Sequence, residues 1–265
     1  MTLLENRKKS SVSYVVNVLD ILRSFTIDEP EKGVLEVSNS LGMPKSVVQR
    51  IMATLASEGF LEQNPSTRKY RLGFPFLSLS SIVMSNSEAH KEAFPLYKEL
   101  ADKLNETVRV CTLEGSRVTN VHFFECKFPH KAYTHIGKDT PIHCTSAGRV
   151  LLAFHQDEEL IERVIDNGLK RYTSYTITDP DLFRAEISKV RSQGYSICEE
   201  EFGLGGISFA VPLKDSSRSV NFAIQVICSS KNFDRSKISY YIKEMQKTAS
   251  NISTILEQWD FKRYW

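Results

Sequence analysis

Thiols and carboxylates that stand side by side in the second half of the chain are residue types able to act as nucleophiles, acid–base groups or metal ligands. His143 adjoins Cys144, and Cys198 is followed by the glutamates Glu199–Glu201. A catalytic thiol needs a positioned base, and a zinc site needs further ligands at regular spacing. The sequence offers no such spacing and no GxSxG, Walker or HExxH motif. We predict no catalytic residues, no metal and no cofactor; an enzyme that uses these thiols is the alternative.

Polar and basic residues in the first quarter of the chain have the types and spacing that contact nucleic acid. Lys45, Ser46, Gln49 and Arg50 recur on one face of a predicted helix whose other face is apolar. Gln and Arg side chains can hydrogen-bond base edges, whereas Ser and Lys side chains can bind phosphates. We expect Gln49 and Arg50 to read bases, and Lys45 and Ser46 to position the DNA backbone.

Three further cations lie on a predicted hairpin just after that helix. The segment Phe60–Leu72 has a strand–turn–strand pattern, with Asn, Pro, Ser and Thr at the turn. Arg68, Lys69 and Arg71 occupy the end of the turn and the returning strand. Such a basic hairpin is typical of the wing that contacts the phosphate backbone.

Three short helices are predicted to position these residues. The first ends before Asp28–Pro30, the second spans Leu35–Leu41 and ends at Gly42, and the third spans Lys45–Glu58 and ends at Gly59. Two helices joined by a short Gly-containing turn indicate a winged helix-turn-helix. The apolar face of the first helix is predicted to be Val15, Val18, Leu19, Leu22 and Phe25, and that of the third Val47, Val48, Ile51, Met52 and Leu55.

Composition and charge agree with a globular protein that has one basic end. The chain has 265 residues, of which 41% are hydrophobic and 25% charged. Residues 1–73 hold ten basic and eight acidic residues, including the run Arg7–Lys9, and account for the whole net charge of +2. The sequence has no apolar run of the ~20 residues that a membrane helix needs and no signal peptide. The five cysteines, Cys126 among them, are odd in number and widely spaced, so we expect reduced thiols in the cytoplasm.

The remaining chain predicts a mixed α/β (α+β) domain with a largely antiparallel sheet. Residues 74–105 are helix-prone, with Pro75 and Pro95 as boundaries or bends. Helices are predicted at Ala147–Phe154, Asp179–Ser192 and Ser236–Trp259, and strands at Val108–Leu113, Arg117–Phe124, Tyr195–Cys198, Ile207–Leu213 and Val220–Cys228.

Blocks of residues spread over nearly the whole chain match one known pattern. In the first part they are Leu41–Arg50, Leu55, Glu58–Glu62 and Tyr70–Gly73. In the larger part they are Pro141–Arg149, Thr173, Thr176, Ile177, Asp179, Gly194, Tyr195, Glu200, Glu201, Ser208, Ala210–Leu213 and Asp215. Together, in this order, these blocks resemble an IclR-type bacterial transcriptional regulator.

The resemblance implies a homodimer or tetramer that binds a palindromic double-stranded operator under the control of a small effector. It implies a DNA-binding domain over residues 1–73, a linker helix region over 74–105 and a GAF-like effector-binding domain over 106–265. In many relatives the effector is a short or aromatic carboxylate, which suits a helix N-terminus. The family's effector contacts align with Ser146, Ala147, Cys198, Ser208, Gln225 and Ile227.

Several positions depart from the family pattern. Cys198 stands where the family has Asp or Ser, and Gln225 and Ile227 replace serines that bind small keto acids in some relatives. Phe209 and Lys214 also break the signature. We therefore expect a larger, partly apolar or aromatic acid rather than glyoxylate or pyruvate. A winged helix that binds protein instead of DNA is a second alternative.

Overall fold

The computed structural model describes residues 13–26, 29–85, 88–115, 117–124, 140–214 and 219–258. The chain divides into two compact units, residues 1–85 and residues 86–265. Arg7–Lys9, Cys126 and Asp215, which the sequence analysis singled out, lie outside the described residues. Within the described part, no helix is long and apolar enough to cross a membrane.

The first unit is the predicted winged helix-turn-helix. Its helices α2 (Val34–Leu41) and α3 (Lys45–Ser57) are joined through Gly42, whose φ of 65° lies in the left-handed region that glycine tolerates. Its small core consists of Ile21, Phe25, Val37, Val48, Ile51, Met52, Leu61 and Tyr70. Its elements are α1 (Ser13–Arg23), α2 (Val34–Leu41), α3 (Lys45–Ser57), β1 (Leu61–Gln63), β2 (Tyr70–Leu72) and α4 (Pro75–Ser85).

The predicted apolar face of α1 is partly wrong. Val15 and Leu19 are exposed, and Ile21, which the prediction omitted, is fully buried. Val18, Ile21 and Phe25 form a stripe with the i, i+3, i+7 spacing of a helix, and this stripe contacts the core of the unit. The prediction failed because two overlapping apolar stripes run along α1, and only tertiary contacts select one of them.

The elements of the second unit are α5 (Glu88–Leu104), β3 (Thr107–Glu114), β4 (Arg117–Phe124), β5 (Thr140–Pro141), α6 (Ser146–Ala153), α7 (Glu159–Asp166), α8 (Pro180–Gln193), β6 (Ser196–Glu199), β7 (Gly206–Lys214), β8 (Val220–Ser229) and α9 (Ile238–Gln258). The six strands form one sheet in the order β5-β4-β3-β8-β7-β6, and every neighbouring pair is antiparallel. This confirms the predicted fold class. The short helix α7 and the strand β5 were not predicted.

The two faces of this sheet face different helices because side chains alternate along each strand. Val108 and Val110 of β3 share a core with α5 and α9. Cys111 lies on the other face, in a core with α6 and α8. Arg109 has the same parity as Cys111, and it is therefore a cation on an inward position of a buried strand.

Helix α6 begins very close to the segment before it. Thr145 caps the helix by accepting a hydrogen bond from the Gly148 N–H at 3.3 Å. A Cβ at Gly148 would lie 2.1 Å from the Ile142 carbonyl oxygen, so only glycine allows this approach. The close approach fixes the first turn of α6 above the sheet.

A buried ion pair ties α6 to the loop between β6 and β7. The Arg149 side chain is 1% exposed, and its Nη1 and Nη2 donate to the two carboxylate oxygens of Glu201 at 2.8 and 2.5 Å. Arg149 Nε donates to the His143 carbonyl oxygen at 3.0 Å. The Glu201 carbonyl oxygen in turn accepts from the Thr176 hydroxyl at 2.6 Å. Three chain segments are thus held together by one charge pair.

Replacing Glu201 with Gln is expected to destabilise the second unit by at most about 3–5 kcal/mol, because the buried Arg149 charge loses its two-point partner and keeps Glu186, whose Oε1 lies 3.8 Å from Nη1, as its acidic neighbour. The matched control is Glu162→Gln, which breaks a similar two-point pair with Arg184 on the surface, where water replaces the lost contact. Urea unfolding measures both variants. Equal losses in the two variants would contradict the role assigned to the buried pair.

The corrected face of α1 gives a second test. Ile21→Ala is expected to destabilise the first unit by about 2–5 kcal/mol, since the side chain fills a close-packed core. Leu35→Ala is the control, because Leu35 is 58% exposed on α2 and its loss is expected to stay within about 0.5 kcal/mol. Thermal unfolding followed by circular dichroism compares the two, and a larger effect at Leu35 would contradict the assignment.

Candidate functional site

The exposed face of α3 carries all four residues that the sequence predicted to meet DNA on this helix. Lys45, Ser46, Gln49 and Arg50 are exposed. The opposite face is buried in the core of the first unit. The Arg50 guanidinium lies 5.8 Å from the centroid of the Tyr14 ring of α1. The helix therefore presents hydrogen-bonding groups on one side of a rigid scaffold.

The hairpin that follows α3 has a tightly hydrogen-bonded turn. The Asn64 side-chain oxygen accepts from the backbone N–H groups of Ser66 and Thr67 at 3.0 and 3.3 Å. Arg68 adopts a φ of 59°, which is unusual for a residue with a side chain. Its own N–H donates to the Asn64 carbonyl oxygen at 2.9 Å, and its side chain is placed at the tip of the wing.

Two of the three predicted wing cations form ion pairs within the unit. Lys69 Nζ lies 2.7 Å from Glu36 Oε1, and Arg71 Nη2 lies 2.8 Å from Glu62 Oε2. The Gly33 N–H and then the Lys69 ammonium hold the pKa of Glu36 below its ordinary value. Hydrogen bonding to Glu62 raises the pKa of Arg71. The charges of Lys69 and Arg71 are therefore partly neutralised within the unit.

A cavity of about 50 Å³ lies in the second unit between the sheet and the first turn of α6. Four of the six residues that the resemblance assigned to the effector line it, namely Cys198, Ser208, Gln225 and Ile227. Ser146 touches this set through Gln225, whose Nε2 donates to the Ser146 hydroxyl oxygen at 3.0 Å. Ala147 is buried in the same turn of α6 but does not line the cavity.

The walls of the cavity combine polar and apolar groups. Cys144 and Thr145 come from the start of α6, and Phe202 comes from the loop between β6 and β7. The Thr173 hydroxyl donates to the Glu200 carbonyl oxygen at 2.7 Å, so the threonine-rich segment supports this loop. Glu200 has a φ of 58°, a strained value that marks the loop next to the cavity.

The thiols around the cavity are protonated. Burial raises the pKa of Cys111 and of Cys198 to about 12, and burial also raises the pKa of Cys144 well above its ordinary value. The thiolate is the nucleophilic form, so these thiols are not activated for catalysis. The four cysteines that the structure describes are free and buried, and no three His, Cys, Asp or Glu side chains in the described ranges cluster as metal ligands.

His143 also has a structural role. Its Nε2 lies 2.9 Å from the Lys170 carbonyl oxygen, and burial lowers the pKa of the imidazole. A neutral ring that donates one hydrogen bond to a backbone carbonyl satisfies this geometry.

One residue of the cavity was missed by the sequence analysis. Arg109 lines the cavity from β3, directly across from Gln225 of β8. The signal present in the sequence was one Arg between the two valines Val108 and Val110, at the start of the predicted strand Val108–Leu113. Sequence alone did not show that this position faces a cavity.

Comparisons with known proteins place both units in one family. A profile of the IclR helix-turn-helix domain matches residues 15–65. A profile of the C-terminal domain of the bacterial transcriptional regulator IclR matches residues 82–254. The chain is 28% identical over 256 residues to the regulator KdgR of Dickeya chrysanthemi, covering 97% of this chain and 84% of that protein. It is 25% identical over 245 residues to the regulator XynR of Escherichia coli K12, covering 92% of this chain and 97% of that protein.

Solved structures show the same fold. An IclR transcriptional regulator from Alicyclobacillus acidocaldarius superposes with a TM-score of 0.83 at 22% identity, covering 92% of this chain and 99% of that one. An IclR homologue from Microbacterium hydrocarbonoxydans, complexed with 4-hydroxybenzoate, superposes with a TM-score of 0.78 at 21% identity, with the same coverage. Because the C-terminal profile alone matches more than half of the residues, the chain belongs to the IclR family of transcriptional regulators, with a helix-turn-helix domain and an IclR C-terminal effector domain, and it is not an enzyme.

Proposed function

We propose that the protein binds a palindromic operator as a homodimer, or as paired dimers, and that a small organic carboxylate controls this binding. The DNA-binding domain comprises residues 1–73, the linker helix region residues 74–105 and the effector-binding domain residues 106–265. The protein acts in the cytoplasm, where its DNA partner lies.

Helix α3 carries the DNA-binding proposal, because one of its faces is polar and exposed and the opposite face is apolar and buried. A recognition helix needs this division, because one face must be locked to the scaffold while the other enters the major groove. Gln49 and Arg50 have the side chains that reach base edges, and Lys45, Ser46 and Arg68 are placed to bind phosphates.

Exposed apolar side chains in the first unit support self-association. Leu77, Leu79 and Ile82 of α4 are each about half exposed or more, and so is Val15 of α1. Exposed apolar side chains on a folded unit leave surface that a second subunit can bury. A dimer of winged helices matches a palindrome because each half-site meets an identical reading surface.

The cavity against α6 supports control by a carboxylate. The unused backbone N–H groups and the dipole of a helix N-terminus favour an anion. Ile227 and Phe202 add apolar wall, which favours an acid with an apolar part. An aromatic ring needs a cavity of ~150 Å³, so an aromatic acid requires the loop at Phe202 to move. Because part of the binding free energy of the effector drives this movement, effector binding changes the conformation of the protein.

Selection of bound DNA from a random library tests the proposal. The enriched pool is retested at two salt concentrations, with and without 4-hydroxybenzoate, pyruvate or glyoxylate. We expect a palindrome, an affinity that falls steeply with salt, and an effect of the aromatic acid on binding. A folded dimer that enriches no sequence would overturn operator binding, and weak salt dependence would favour the protein-binding alternative. Calorimetry that finds tight glyoxylate binding and no binding of aromatic acids would overturn the effector class.

Arg50→Ala is expected to weaken operator binding by about 1–3 kcal/mol and to relax specificity at one base position, because a base contact is lost. Lys45→Ala is expected to weaken binding to operator and to random DNA alike, because a phosphate contact carries no sequence information. Fluorescence anisotropy on both DNAs separates the two effects. Equal losses on both DNAs for Arg50→Ala would contradict base reading.

Glu36→Gln is expected to strengthen binding to operator and random DNA by about twofold to fivefold, because it frees Lys69 for a phosphate. Glu58→Gln is the matched control, since it removes the same charge from the same unit. Glu58 holds no wing cation among the residues that the structure describes. An equal gain in both variants would show a net-charge effect only and would contradict the proposed role of the Glu36–Lys69 pair.

A further inference from the structure

We infer that Arg109 binds the carboxylate of the effector through two parallel hydrogen bonds from Nε and Nη2. This inference rests on the proposed control by a small carboxylate, and it adds a specific residue and a binding geometry to it. The ligand class follows from the guanidinium, which is planar, charged and matched to a carboxylate.

The guanidinium of Arg109 is a buried cation on the wall of the cavity. The residue is 4% exposed, and its Nε and Nη2 have no hydrogen-bond partner among the described residues. Burial lowers its pKa from the ordinary value, which reflects the cost of holding the charge there. Buried charges in proteins are normally paired, so an unpaired one on a cavity wall indicates a missing ligand.

The geometry of the two unpaired donor atoms of Arg109 favours a carboxylate. Nε–H and Nη2–H point from the same edge of the guanidinium and form a two-pronged donor. A carboxylate presents two oxygens at the matching spacing, whereas an alcohol, an aldehyde or an amide oxygen meets only one donor. The free edge of Arg109 therefore selects a carboxylate over a neutral ligand.

Neither of the two glutamates that line the cavity pairs with the free donors of Arg109. Glu201 forms its ion pair with Arg149. Glu200 accepts from the Ser230 hydroxyl at 2.6 Å and from the Gly205 N–H at 3.1 Å. Burial raises the pKa of the Cys144 and Cys198 thiols, which therefore carry no charge. Nε and Nη2 of Arg109 thus have no carboxylate partner among the described residues of the cavity wall.

Arg109 lies beside Gln225, one of the residues that the resemblance assigned to the effector. Arg109 and Gln225 are directly opposite each other on neighbouring antiparallel strands, where side chains lie about 5 Å apart at Cβ. Gln225 bonds the Ser146 hydroxyl at the start of α6. An anion held by Arg109 is therefore close to the N-terminus of α6, and the guanidinium and the helix dipole attract it together.

The test uses the full-length protein with Arg109→Gln, Arg109→Lys and Arg109→Met. Arg163→Gln is the control, since Arg163 is an exposed arginine of the same unit. The probes are sodium acetate and sodium 4-hydroxybenzoate, compared with sodium chloride at equal ionic strength and with the neutral amides of the same acids. Thermal unfolding and calorimetry measure binding without DNA.

We expect both carboxylates, but not the amides, to raise the Tm of the wild type and of Arg163→Gln. Arg109→Gln is expected to lose about tenfold to a hundredfold in carboxylate affinity, and Arg109→Lys nearly as much, because an ammonium lacks the two-pronged donor. Ligand-free Arg109→Met is expected to unfold at the wild-type temperature or above it, since an unpaired buried charge is removed.

Three results would overturn the inference: carboxylates that bind Arg109→Gln as tightly as wild type, amides that bind as tightly as acids, or carboxylates that fail to stabilise the wild type. In the last case, a marked loss of Tm in Arg109→Met would show that an acidic side chain of the chain itself neutralises Arg109. Carboxylates that bind through Arg109 yet leave DNA affinity unchanged would refute the regulatory proposal and leave this inference intact.

Discussion

The fold of the second unit depends on how it neutralises the charge of Arg149, which is buried away from water. Arg149 and Glu201 meet in a two-point ion pair that is almost wholly buried, and the same arginine also binds the His143 carbonyl oxygen. A buried charge without a partner costs several kcal/mol, so the pair forces three separate segments to converge. These segments are the start of α6, the loop after β6 and the threonine-rich segment. The first two line the cavity together with the sheet, and the third hydrogen-bonds the loop.

A second buried arginine in the same unit is treated in the opposite way. Arg109 lies across the sheet from Gln225 and has two donors without a partner in the described part of the chain. Arg149 is satisfied by folding, whereas Arg109 is left to be satisfied by binding. One residue type therefore has two roles in this unit: Arg149 stabilises the fold, and Arg109 recognises the ligand that we infer. The surrounding thiols are kept neutral by burial, and neither Glu200 nor Glu201 satisfies Nε and Nη2 of Arg109.

The DNA-binding unit shows a related balance on its surface. Its excess of cations is small, and two of the wing cations are held by Glu36 and Glu62 in the free protein. Exposed ion pairs are weak, so a phosphate can displace either carboxylate at modest cost. We infer that such pairs limit binding to arbitrary DNA and leave discrimination to the exposed face of α3. Base contacts gain importance when the backbone contacts are partly neutralised beforehand.

The sequence by itself determined most of the local structure. Helix-breaking glycines and prolines, apolar periodicity and the position of the charges predicted the helix-turn-helix, the wing, the mainly antiparallel sheet and the exposed residues of α3. These features depend on neighbours in the chain, and the residue order reports them directly. The resemblance to a known family added six residues that we expect to bind the effector, and four of them line one cavity.

Only the tertiary structure decided which of two apolar stripes on α1 is buried, that Lys69 and Arg71 are already paired, and that Arg109 faces a cavity. Each of these depends on contacts between residues far apart in the chain, such as Lys69 with Glu36 or Arg109 with Gln225. Residue order does not encode such distances, because one strand pattern is compatible with several partners and with either face. From the sequence, Arg109 between Val108 and Val110 shows only that a charge is present in a strand. The fold decides whether that charge has a partner within the protein or is free to bind a ligand.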